Sequence, residues 1–193
     1  MKHFLISIFF LSTIASAQTA LITDTNYLYR SLSVALEHPE LVYRLNLSKH
    51  KLKTIPPDIL KLKNLRELDL SRNKIDSIPK EIGTFKQLTH LNLSHNEIVM
   101  LPDEIGELVS LKFLGLNRNL IEALPATIGN LEQLEVLELW DNELSTIPEE
   151  ITKCKNLKVL ELRGILFSDE DYARIDTMLP DTKVYLSPAC NCK

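Results

Sequence analysis

The chain has little of what catalysis and covalent stapling require. Three cysteines occur in 193 residues, too few for a disulfide scaffold and without the further ligands that a zinc site needs. Cys190 and Cys192 sit in the terminal stretch Cys-Asn-Cys-Lys, which supplies no further ligands. Cys154 falls in a column otherwise held by Leu62, Phe85, Leu108 and Leu131, where it reads as a small buried hydrophobe. There is no Gly-rich phosphate loop, no H-E-x-x-H, no G-x-S-x-G and no Cys-x-x-Cys. Five histidines are present, but none belongs to a ligand or nucleophile motif. The formal charge of -4 argues against nucleic acid or an anionic membrane as the main partner. After the first residues no apolar run is long enough to span a bilayer.

The N-terminus reads as an export signal, residues 1–17. Lys2 precedes a mostly apolar run from Phe4 to Ile14, and Ala15-Ser16-Ala17 fits an A-x-A cleavage site before Gln18. The expected mature chain is exported (secreted, periplasmic or at the cell surface) and has no integral membrane segment.

What the chain has in abundance is leucine at a fixed period of 23 residues. Leu65, Leu88, Leu111, Leu134 and Leu157 share one column, and Leu68, Leu91, Leu114, Leu137 and Leu160 the next. A third holds Leu70, Leu93, Leu116, Leu139 and Leu162. Asn73, Asn96, Asn119 and Asn142 follow, and then the apolar-Pro pairs ending at Pro56, Pro79, Pro102, Pro125 and Pro148. Alternation in L-x-x-L-x-L predicts a short strand per unit, leucines inward and polar residues outward. A single unit cannot bury its apolar side alone, whereas stacked units share a continuous core. The Asn column is expected to satisfy turn backbone groups inside that core, and the prolines to favour an extended outer arc.

The pattern L-x-x-L-x-L-x-x-N-x-I-x-x-I-P resembles the leucine-rich repeat family in its typical 23-residue form. The resemblance implies an α/β fold: a right-handed, shallow horseshoe solenoid of six strands with a parallel sheet on the concave face and helical caps at both ends. The expected divisions are an N-terminal cap helix within 18–41, repeats over 42–167, a C-terminal helix and strand over 168–187, and a tail over 188–193. Asp24 or Thr25 is expected to start a helix running to His38. Ser168 begins the second helix, and Lys183 to Leu186 make a last short strand.

Function is expected on the outward strand positions, which the repeat leaves free. Three columns follow from the period: Arg44, Glu67, His90, Phe113, Val136, Val159; then Asn46, Asp69, Asn92, Gly115, Glu138, Glu161; then Ser48, Ser71, Ser94, Asn117, Trp140, Arg163. The first half is polar and the second turns apolar, with Glu138 and Glu161 beside Phe113, Val136, Trp140 and Val159. Gly115 is expected to leave a dent next to Phe113. The cluster reads as a partner-binding patch, as ordinary cross-strand pairs, or as a surface under the C-terminal cap. Family resemblance implies a protein or peptide partner and no enzyme activity; no cofactor or metal is expected. A structural surface or matrix protein and, further off, a hydrolase-like enzyme are the competing classes.

Overall fold

The computed structural model describes residues 25–187, so the export signal, the start of the expected N-terminal helix, and Cys190 and Cys192 lie outside it. Eight parallel strands form one sheet in chain order. They are β1 (Leu28–Tyr29), β2 (Arg44–Asn46), β3 (Glu67–Asp69), β4 (His90–Asn92), β5 (Phe113–Gly115), β6 (Val136–Glu138), β7 (Val159–Glu161) and β8 (Lys183–Tyr185). From β2 to β7 each residue pairs with the one 23 positions on, as in Leu45↔Leu68 and Leu91↔Leu114. The last step, Val159↔Lys183, takes 24 residues.

β1 was not expected. Instead of one helix from Asp24 or Thr25 to His38, Leu28 and Tyr29 pair with Arg44 and Leu45. The helix α1 is a single turn, Leu32–Ala35, capped by Ser31. Tyr29 and Ala35 are buried against the first repeat while Leu32 and Leu36 pack partly. Covering an open sheet edge with another strand satisfies its backbone donors and acceptors, which a helix there would leave unpaired. At the far end α2 (Asp169–Met178) starts at Ser168, whose hydroxyl accepts from Asp171 N at 3.1 Å. Ile175 and Leu179 close the core.

Every inward leucine of the repeat is buried. Between strands the chain turns on the asparagines. Asn96 Nδ2 donates to Leu70 O (3.1 Å) and Leu93 O (2.8 Å), and its Oδ1 accepts from Ile75 N (3.0 Å). Asn119 and Asn142 repeat this one and two units later, on Leu93 and Leu116 and on Leu116 and Leu139. Asn73 does the same at Leu47 and Leu70. Each amide therefore joins its own repeat to the preceding one.

The outer arc is not extended throughout. Only the prolines are: after each comes a five-residue 3₁₀ turn, at Pro57–Lys61, Lys80–Thr84, Asp103–Glu107, Ala126–Asn130 and Glu149–Lys153. The proline carbonyl accepts from the third residue on, as in Ile105 N to Pro102 O at 3.0 Å. Proline's missing donor costs nothing at such a start. Three glycines fill one column of these turns. A Cβ on Gly106 would lie 2.3 Å from Thr127 O, and one on Gly129 2.4 Å from Glu150 O. These turns pack backbone to backbone. In the same column Leu60 replaces glycine, and beside it an apolar groove of about 290 Å³ opens, lined by Pro56, Pro57, Leu60, Pro79 and Phe85 among others.

Candidate partner-binding face

The strand register aligns the outward side chains. Arg44, Glu67, His90, Phe113, Val136 and Val159 are consecutive partners across β2 to β7. Phe113, Val136 and Val159 form an unbroken apolar column, each half-buried. His90 stacks on Phe113 from the polar side, ring centroids 6.1 Å apart. The column ends at Lys183, because β8 extends the sheet instead of folding over it. A flanking ladder on the neighbouring turn places Glu135 between Lys158 (2.5 Å) and Lys112 (3.5 Å). These lysines, Lys158 first, hold the Glu135 carboxyl below its usual range.

Gly115 leaves no dent. It is buried, and a Cβ there would meet Asn92 Oδ1 and Phe113 Cε1 at 3.0 Å. The Phe113 ring therefore lies over the glycine, filling the space its missing side chain provides.

The two central carboxylates differ. Glu138 accepts from Asn117 Nδ2 at 2.7 Å and remains half-exposed. Glu161 is 8% exposed and held by Arg163 through Nε (2.8 Å), Nη2 (2.7 Å) and the backbone N–H (3.1 Å). That bidentate clamp raises the Arg163 pKa and fixes both side chains. Arg163 also lies over the Tyr185 ring, 5.5 Å from its centroid. Here the face shows a guanidinium rather than an open carboxylate. Arg163 and Tyr185 were missed as site residues, since Tyr185 joins the sheet through the irregular 24-residue step.

Trp140 stands apart from the valines, across the central column. The Arg118 guanidinium lies 4.6 Å from its ring centroid, and the His95 ring meets it edge-on at 6.4 Å. Its backbone N–H donates to Asn117 Oδ1 at 3.1 Å. Burial, then Arg72 and Arg118, lower the His95 pKa. His90 bonds Thr89 Oγ1 at 3.0 Å. Among the described residues neither His90 nor His95 hydrogen-bonds a serine hydroxyl. Among the described residues no group of three or more His, Cys, Asp or Glu could hold a metal. Cys154 is buried, donates to Ile128 O at 3.3 Å, and burial pushes its thiol up to about 11. Such a thiol is inert. No helix among the described residues is long and apolar enough to cross a membrane.

Leucine rich repeat models match residues 40–98 and 102–168. The chain belongs to the leucine-rich repeat family. Among solved structures, a leucine-rich repeat protein of Leptospira interrogans shares 36% identity over 78% of this chain and 44% of its own, with TM-score 0.64. The ectodomain of the Arabidopsis thaliana membrane receptor kinase GASSHO1/SCHENGEN3, solved in complex with Casparian strip integrity factor 2, is 30% identical over 82% of this chain and 19% of its own (TM-score 0.67). An internalin C2 from Listeria monocytogenes shares the fold: 23% identity, 79% of this chain, 64% of its own, TM-score 0.67. The chain spans less than half the length of the Leptospira protein. No curated protein matches the sequence.

Proposed function

We propose that this is an exported protein- or peptide-binding module whose partner docks on the second half of the concave sheet. One observation carries the reading: Phe113, Val136 and Val159 stay half-exposed in an unbroken column, where β2 to β4 turn only polar residues outward. A rigid sheet presenting apolar side chains beside charge is the composition of an interface centre with its rim. Trp140 is the anchor on the other side, pre-oriented by Arg118. Glu138 offers the open carboxylate, while Glu161 acts by holding Arg163 in place. The receptor-kinase ectodomain, a relative in fold, was solved with a bound partner, which supports a similar use here.

Partners captured from envelope and host extracellular proteins supply the test. Trp140→Ala should weaken binding by about 2 kcal/mol or more, the range of a hot-spot tryptophan. Fold stability should change by about 1 kcal/mol or less, since what is lost is a cation–π contact with the exposed Arg118 and an edge contact with His95. Arg72→Ala, on the polar half, should cost this partner far less and act through association rate. A Trp140→Ala protein that loses stability while binding normally would end this assignment.

Export is part of the proposal, resting on the N-terminal sequence. Intact mass of protein recovered outside the cytoplasm should correspond to a start at Gln18. Retained Met1 on an intracellular product would contradict it.

A further inference from the structure

The turn that follows each repeat strand is left-handed. Lys49 (φ 62), Arg72 (φ 57), His95 (φ 58), Arg118 (φ 53) and Asp141 (φ 59) occupy it in succession, and Gly164 (φ 77) ends the series. That backbone region disfavours any residue with a Cβ, and glycine, asparagine and aspartate relieve the cost. Gly164 and Asp141 show that the position accepts such residues. Four consecutive turns nevertheless carry three permanent cations and a histidine. Strained backbone kept with one chemical character points to use, because the fold alone would favour another choice.

The surroundings specify what this edge would meet. With strands ~4.8 Å apart, the four side chains form a row roughly 15 Å long. Among the described residues neither Lys49 nor Arg72 is in an ion pair, while Arg118 pairs with Asp141 at 3.3 Å across an exposed rim. The nearby carboxylates of the polar half are engaged. Glu67 takes Arg44 at 2.6 Å, and Asp69 takes Asn46 Nδ2 at 3.1 Å and the Ser71 N–H at 2.9 Å. Ser48, Ser71 and Ser94 run alongside the row, Ser71 and Ser94 buried and the Ser48 hydroxyl donating to Asn46 Oδ1 at 2.7 Å. This half of the face, β2 to β4, presents no large apolar side chain outward.

We infer that the Lys49–Arg72–His95–Arg118 edge binds an acidic polysaccharide, its carboxylate or sulfate groups on the cations. An acidic polypeptide would bring the same charge, but protein partners gain most of their affinity from apolar anchors. Those lie on the other half of the sheet. A hydrated polyanion suits a row of cations beside strands that turn no large apolar side chain outward. His95 and Arg118 also touch the Trp140 anchor, so Lys49 and Arg72 are the residues that separate this assignment from a partner there.

The test uses the full protein with three probes: a heparin-derived octasaccharide (sulfated), an octagalacturonate (carboxylate only) and a poly-glutamate of matched charge. At least one oligosaccharide should bind, more weakly as salt rises; which one identifies the anionic group. The double variant Lys49→Gly/Arg72→Gly should lose at least about tenfold in affinity, the scale of a lost charge-assisted hydrogen bond. Because glycine relieves both left-handed turns, its melting temperature should be at or above that of the parent chain, so weaker binding cannot come from unfolding. The inference is overturned if neither oligosaccharide binds, if the double variant binds them unchanged, or if poly-glutamate binds as tightly as the better oligosaccharide.

Discussion

Gly106→Val should be the most damaging single substitution in the outer arc, lowering unfolding free energy by about 3 kcal/mol or more. Even a Cβ would sit 2.3 Å from Thr127 O and 2.8 Å from Thr127 Cβ. The obstacle is backbone in the next repeat, so no rotamer change relieves it, and neighbouring units must separate. Leu60→Gly, in the same column, should cost little, since the half-buried Leu60 borders an open groove. Urea unfolding of both variants checks the contrast. If Gly106→Val kept wild-type stability, close packing of the outer turns could not be what holds that side together.

Asn96→Leu should destabilise by about 3 kcal/mol, against about 1 kcal/mol or less for Asn92→Leu, four positions away. The first change leaves Leu70 O, Leu93 O and Ile75 N without the partners they have inside the turn. The second removes an acceptor for Ser94 N (3.1 Å) on the concave side, where water can replace it. Thermal unfolding of the pair separates the two roles. Equal, small losses would mean that the amide column is not what satisfies the turns.

Much of the fold can be read from spacing because one physical requirement recurs at every unit. A strand that must bury alternate leucines against identical neighbours has one register, so Phe113, Val136 and Val159 could be placed side by side from the period alone. The N-terminal end could not, since no repeat constrains it. The pairing of Leu28–Tyr29 with Arg44–Leu45 is a tertiary solution to an open edge, and local propensity in that segment favours helix. Within the site, the columns were readable but the side-chain directions were not. Phe113 folding over Gly115, Arg118 covering Trp140 and Arg163 clamping Glu161 each depend on contacts made in three dimensions. The column Gly83, Gly106 and Gly129 went unread, because its meaning depends on 3₁₀ turns stacking there.

The asparagine amides have a consequence for how such a chain can change length over evolution. Because each reaches back one unit and the same atoms recur in the next, excising residues 96–118 would join His95 to Asn119. Asn119 would then inherit the bonds of Asn96, to Leu70 and Leu93. Unequal recombination between repeats is thereby tolerated in whole units and penalised otherwise. That one excision would delete Phe113, Gly115 and Arg118 together with one unit of core, leaving the remaining units in register. Lineages can thus edit ligand preference in blocks, without redesigning the scaffold that carries it.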